Sequence, residues 1–546
     1  MLSLLVTGLY ALSSFQPVSA GTAGSRVCKA PVSSVECEGK SYIYEKLAGY
    51  GALPGNGRDK FGDTLGGLGS SAVVDLKSWK KVNGKYTGTL WSLPDRGCPA
   101  WVPAELIRSA LLTPLPPGNR NTEGTLNYQP RLHKFTITFD PSAKASNSST
   151  TSPFTNLEFS YEDSILFTDP SGKPMTGLDC TTTLNFTGLP TIPASKYSGD
   201  GFGSGSTEEG DTRACLDPEG LVLNDDGSFW VSDEYGPFVF LFDRHGKMVN
   251  AIRPPDALVP MRNGTEMFSA NSPPRYNPDL APAPALPESG RNNNQGFEGL
   301  SGSADGNTLY VLLQSAAIQD GGDSKATRQH VRFLTYDVSD RLSPVLTEEH
   351  VVPLPAFVDG TDGNKTRFAA QSELFSLPNG QFLMLARDSN AGTAMDYTQS
   401  NYRHIDVFDV SAATDIAGSK YDEVGGAVSP KGVLVDDITP AVVCPWIDFN
   451  INSELNKFGL HNGGAQDTGL LNEKWESISV VPVHVDEKGN RRRGDRANEE
   501  YYIISLSDND FITQDGAMNF GDMPYSDESG AEVFNQALVF KVRIEA

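Results

Sequence analysis

Leu221-Val222-Leu223-Asn224-Asp225-Asp226-Gly227-Ser228-Phe229-Trp230-Val231-Ser232-Asp233-Glu234 reads as a β-hairpin that ends in acid. A short aliphatic strand meets an Asn/Asp/Gly turn, whose residues tolerate the backbone angles a tight reversal demands. A strand of aromatic and β-branched residues follows, then a carboxylate pair. Phe238-Val239-Phe240-Leu241-Phe242 and the turn Asp243-Arg244-His245-Gly246 add a third strand. Such a unit buries one face only and needs neighbours on the other.

The chain supplies those neighbours by repetition. Leu309 to Gln314 repeats the second strand after Glu298-Gly299-Leu300 and the turn Asp305-Gly306-Asn307. Phe375 to Asp388 repeats it around Asn379-Gly380, and the last copy begins at Trp475-Glu476-Ser477 and resumes at Tyr501 to Ile504 before Ser507-Asp508. An early copy ends at Leu90 to Asp95, while Val331 to Val338 and His404 to Val410 stand where third strands belong. Long helical periodicity is nearly absent, Trp101 to Leu112 being the best short helix. The expectation is an all-β chain, a β-propeller of six blades with long inter-strand loops, with a two-domain β-sandwich as the alternative. Glu219, Glu298, Glu373 and Glu476 recur at intervals of 79, 75 and 103 residues. A minimal four-stranded blade takes about 45 residues. Insertions are therefore expected at 140–160, 181–213, 254–296, 316–328, 389–402 and 486–499.

The ends of the chain set the compartment. Leu2 to Phe15 is largely apolar and Val18-Ser19-Ala20 offers a cleavage site, which predicts a signal peptide over 1–20. A terminal extension over 21–59 and a propeller domain over 60–546 complete the expected division. No later run is long enough to span a membrane. Asn147, Asn185, Asn263 and Asn364 open four N-glycosylation tripeptides. The expected location is extracellular or cell-wall space.

Six cysteines, at 28, 37, 98, 180, 215 and 444, form no Cys-x-x-Cys pair, which argues against zinc and thioredoxin chemistry. Fifteen pairings into three disulfides are open. Local pairing favours Cys28 with Cys37 and Cys180 with Cys215, leaving Cys98 with Cys444.

The formal charge is −24, from 68 acidic against 44 basic residues, so nucleic acid is excluded as a general partner. A polyanionic substrate would need a local basic patch or bridging cations. The run Arg491-Arg492-Arg493 with Arg496 is offset by Asp486, Glu487, Asp495, Glu499 and Glu500 and reads as a solvated loop.

In a propeller the innermost strands begin around one channel, so Glu219, Glu298, Glu373 and Glu476 are expected to converge. Crowded carboxylates repel, and raised pKa values or a bound cation must relieve them. Oxygen ligands without a His/Cys cluster favour Ca2+. The alternative is that these glutamates bind turn amides between blades. A second acidic series, Asp95-Arg96, Asp233-Glu234, Arg387-Asp388 and Asp508-Asn509-Asp510, follows the hairpins. Asp508 joins the expected metal ligands, Asp233 and Glu234 are catalytic candidates, and Arg96 and Arg387 are candidate phosphate clamps, guanidinium matching phosphate oxygens in pairs. An Asp–Arg brace between blades is the competing role for the arginines. Tyr235 either donates to substrate or shapes its turn. There is no Gly-x-Ser-x-Gly elbow, and no histidine sits in a motif that nominates it for a triad.

Asp217-Pro218-Glu219-Gly220-Leu221, the block Asp226 to Pro237, Gly296-Phe297-Glu298-Gly299-Leu300 and Ser507-Asp508-Asn509-Asp510-Phe511 resemble the phytase-like family, described by the phrase "esterase-like activity of phytase". The resemblance covers most of 60–545 and implies a β-propeller. The Arg-His-Gly motif that histidine acid phosphatases carry near the start is absent there; Arg244-His245-Gly246 lies in a hairpin turn. The resulting expectation is a cation-assisted hydrolase of a small phosphoric ester. A noncatalytic, calcium-stabilised binding propeller and a lactonase or carboxyl-esterase are the alternatives.

Overall fold

The computed structural model describes residues 31–95, 99–100, 124–125, 128–144, 152–197, 211–272, 282–389, 391–491, 499–527 and 529–545. The expected signal peptide, Arg96, the Trp101 to Leu112 helix, Cys28, Cys98 and Asn147 lie outside the described residues.

Each repeat becomes an antiparallel sheet in the order the chain makes it. The hairpin of the opening stretch forms Pro218–Leu223 and Phe229–Asp233, and Val239–Phe242 and Met248–Ile252 complete its sheet. The same meander recurs as Phe297–Gly302, Thr308–Leu313, His330–Asp337 and Val345–Pro353, then as Ala370–Ser376, Phe382–Arg387, Arg403–Asp409 and Val442–Asp448. Earlier in the chain, Ser71–Val74, Lys85–Leu93, Arg131–Phe139 and Leu157–Leu166 pair in that order. The final sheet joins both ends of the chain: Ser479–Pro482, Glu499–Leu506 and Asn535–Ile544 are continued by Lys40–Leu53 and Ser33–Cys37. Against the expected six units, the described residues hold these five larger sheets, four two-stranded ones and a three-stranded one, Thr182–Leu184, Ile192–Tyr197 and Asp211–Ala214, which nearly coincides with the expected 181–213 insertion.

The cores lie between sheets. Leu383, Leu385, Ile405 and Val407 pack against Tyr42, Tyr44, Ile503 and Phe540, which ties the Ala370–Ser376 sheet to the terminal one. Ala72, Val74 and Leu90 meet Val481, Ile504 and Val539 on the other side of that terminal sheet. Trp230 and Leu241 pack with Leu300, Val311 and Phe333, and these with Leu374 and Phe382. Leu93 and Leu132 join Leu221, Phe229 and Phe240. The first strands of neighbouring sheets therefore approach one another, Pro218–Leu223 against Ser71–Val74 and Phe297–Gly302, and Phe297–Gly302 against Ala370–Ser376.

That approach explains the Glu-Gly-Leu recurrence. A Cβ on Gly220 would stand 2.4 Å from Leu300 Cβ, and one on Gly299 2.8 Å from Leu374 Cβ, so only glycine lets the strands close. Three of the first strands also carry a register shift at or beside a glutamate, between Pro218 and Leu221, Phe297 and Gly299, and Gln371 and Glu373. A bulge re-aims one side chain out of the sheet's alternation. In the first two strands the re-aimed residue is the acid, Glu219 or Glu298; in the third the extra residue is Ser372, and Glu373 stays paired opposite Leu385.

Two disulfides form among the described residues. Cys180–Cys215 is as expected. The other pairing corrects the expectation: Cys37 bonds Cys444, not Cys28, across 407 residues of chain, so Cys444 is not available to Cys98. Local pairing fails because Ser33–Cys37, on the rim of the terminal sheet, lies beside Val442–Asp448, the rim of its neighbour. Asn185, Asn263 and Asn364 are all exposed. No described helix is long and apolar enough to cross a membrane.

Candidate cation site at the mouth of the first strands

The bulged glutamates meet the acids that follow the hairpins. Glu219, Glu234 and Glu298 place one carboxylate oxygen each within 4.8 Å of the others. Asp95, Asp217 and Glu219 form a second such group, and Asp95, Asp508 and Asp510 a third. Glu219 and Asp95 are shared, so the three groups make one continuous acidic lining. All of these side chains are buried except Asp510, which is 39% exposed. They are carboxylates only, a hard-oxygen donor set of the kind Ca2+ takes.

Burial and mutual repulsion act together on them. Burial, then Glu298, Asp217, Glu234 and Asp95, push the Glu219 carboxyl well above the usual range. Burial, Glu234 and Glu476 do the same to Glu298 against the opposing pull of Arg387 and Lys474. Asp508 is also raised, by burial first, with Lys474 opposing. Glu298 Oε1 accepts from Gln314 Nε2, whereas its Oε2 is buried with no hydrogen-bond partner. A buried acceptor left unpaired costs about 1–3 kcal/mol, more when charged. That oxygen is what the site's fit to a cation rests on: a calcium held by Glu219, Glu234 and Glu298 would satisfy it.

Other expected residues have other places. Glu373 lies outside the three groups, its oxygens taken by Ser71 Oγ at 2.8 Å and the amides of Leu374 at 2.8 Å and Leu300 at 3.4 Å. Ser71 belongs to a different sheet from Glu373, so the bond ties two sheets together. Glu476 accepts from Arg387 Nη2 and leaves Oε2 unpartnered. Arg387 also holds Glu473 at 2.6 Å and donates to Ser372 Oγ at 3.2 Å, the geometry of a brace between sheets. Asp233 accepts from the amides of Asp217 at 3.0 Å, Tyr235 at 3.1 Å and Gly236 at 2.8 Å, and burial still lifts its carboxyl to about 7. Its adjacent residue Glu234 is the one that reaches the acidic lining, while the Tyr235 hydroxyl donates to Gly177 O at 2.8 Å inside the core.

Sequence reasoning missed Lys474. Its ammonium stands 2.9 Å from Asp510, 3.2 Å from Asp95, 3.4 Å from Asp508 and 3.8 Å from Glu476. The signal was available: Lys474 precedes Glu476 by two residues as Asp217 precedes Glu219, and in an extended strand that spacing returns to the same face. A separate cavity of about 540 Å3, walled by Pro254, Pro255, Tyr336, Pro344 and Leu346, shares no residue with the acidic groups.

A nearly all-β scaffold that gathers carboxylates from several sheets is the class this fold and site define. The family described as "Phytase-like: Esterase-like activity of phytase" matches residues 123–511. An uncharacterized secreted protein of Arthroderma benhamiae is 48% identical over 495 residues, 89% of this chain and 90% of the relative. The chain belongs to the phytase-like family. Among solved structures, a luciferin-regenerating enzyme aligns over 91% of this chain and 96% of its own at 10% identity and a TM-score of 0.25. The catalytic domain of Coprinopsis cinerea GH62 alpha-L-arabinofuranosidase aligns over 91% and 97% at 10% identity and 0.28. At those TM-scores neither bears on the fold or the activity.

Proposed function

We propose that this chain is a secreted, calcium-assisted hydrolase of small phosphoric esters. The carrying observation is Glu298, a buried carboxylate inside the acidic lining with one oxygen unsatisfied. Membership of the phytase-like family supports hydrolysis of an ester. The secreted relative and the two disulfides support export, since disulfides persist in oxidising compartments. Glycans would then be carried on Asn147, Asn185, Asn263 and Asn364.

In this reading the five larger sheets are the blades of a closed ring and the three-stranded sheet is an insertion. The packing of each core between two successive sheets supports it, as does the strand order that joins both chain ends in one sheet. Glu219, Glu234 and Glu298 would hold the calcium. Bound there, a divalent cation neutralises substrate phosphate and lowers the pKa of water. The chain's own part is to fix Glu219 and Glu298 on bulged strands and Glu234 just after a hairpin strand, and to bury all three. Glu234 lies within the turn that Asp233 braces, which sets its position against Glu298. Substrate enters where Asp510 and Lys474 keep partial exposure.

Purified mature protein is expected to release phosphate from phytate in calcium and to lose that release in chelator. Release that persists unchanged in chelator contradicts cation assistance. Turnover of carboxyl esters or lactones alone would redirect the same site to a carbonyl, and calcium-dependent stability without turnover would make the protein a binding propeller.

A further inference from the structure

On either side of the linking group Asp95, Asp217 and Glu219, the acidic lining has two halves, and they differ in what already occupies them. In the Glu219, Glu234 and Glu298 half, a buried oxygen of Glu298 lacks a partner. In the Asp95, Asp508 and Asp510 half, the Lys474 ammonium lies within 3.4 Å of all three carboxylates. It is held there by backbone: Asp508 N–H donates to Lys474 O at 2.7 Å, beside the bridge between Trp475 and Ser507. The lysine side chain is only 18% exposed, so it is not a surface residue that swings aside freely.

We propose that Lys474 is a resident cation that fills the Asp95, Asp508 and Asp510 half, limiting the protein to one divalent cation, at Glu219, Glu234 and Glu298. A calcium ion needs carboxylate oxygens at about 2.3–2.6 Å. An ammonium in contact with the same three carboxylates takes up those oxygens and repels a second positive charge at close range. Lys474 is thereby a determinant of metal stoichiometry, and it accounts for why Asp508 belongs to the acidic lining without being a metal ligand. The inference rests on the calcium reading above for the first half only.

Calcium binding to the full mature chain, measured by equilibrium dialysis, tests it. The wild type is expected to bind one calcium and Lys474→Met two, methionine keeping the length of the side chain without its charge. One calcium in both overturns the role of Lys474 and leaves the calcium reading standing. None in the wild type and one in the variant sinks the calcium reading while upholding the exclusion. Two in the wild type overturns the exclusion, and none in either overturns both. Should Lys474→Met fail to fold by circular dichroism, Asp508→Asn decides: its single calcium is expected to remain with less than about a threefold change in affinity, a 0.65 kcal/mol limit. Loss of that calcium would make Asp508 a ligand and contradict the proposal.

Discussion

Glu298→Gln is expected to abolish calcium binding and to lower ester turnover by roughly 100-fold or more, since even supporting residues of a metal site commonly cost 10–100-fold. The same substitution has an opposite effect on the metal-free protein. Wild-type Glu298 is buried among Glu234, Glu219 and Glu476 with one oxygen unpaired. Glutamine keeps the shape, can still meet Gln314, and removes a group that burial and its acidic neighbours oppose. In chelator the variant should therefore be more stable than the wild type, by about 1–3 kcal/mol. In calcium the order should reverse. Denaturant unfolding in the two conditions reads both, and a variant less stable in chelator would mean that Glu298 holds the fold together and is not poised for a ligand.

Arg387→Met is the second large effect, and it separates the two roles foreseen for this arginine. As a brace, Arg387 neutralises Glu473 and Glu476 and bonds Ser372 while remaining only 8% exposed. Removing one partner of a buried ion pair strands the other and costs about 3–5 kcal/mol. The variant should unfold at markedly lower denaturant. If stability is unchanged and only the substrate KM rises, Arg387 is a clamp on substrate phosphate.

The hairpins were legible because turn chemistry and strand chemistry agree. Asn224 to Gly227, Asp305 to Asn307 and Asn379-Gly380 each separate two apolar runs, and each pair of runs became adjacent strands. The convergence of Glu219 and Glu298 was legible from their recurrence. The place of Glu373 was not, because the residue that decides it, Ser71, lies 302 positions away in another sheet. The partner of Cys37 was hidden for the same reason: Cys444, on the rim of a neighbouring sheet, lies 407 positions away. Asp233 and Glu234 look equivalent as letters, yet successive residues of an extended chain point to opposite faces. One was taken by three turn amides and the other was left facing Glu298. Lys474 was passed over because basic residues were sought beside the acids in sequence, as in Asp95-Arg96, rather than two residues ahead on the same face.

The claim that the buried acids form a cation site is tested most directly by thermal unfolding of the wild-type mature protein in calcium and in chelator. Binding to the folded state alone adds about 2.7 kcal/mol when free calcium is 100 times Kd. The account predicts a Tm that rises with calcium concentration and an effect absent from Glu298→Gln. A Tm that does not move, or that moves equally in Glu298→Gln, would contradict it.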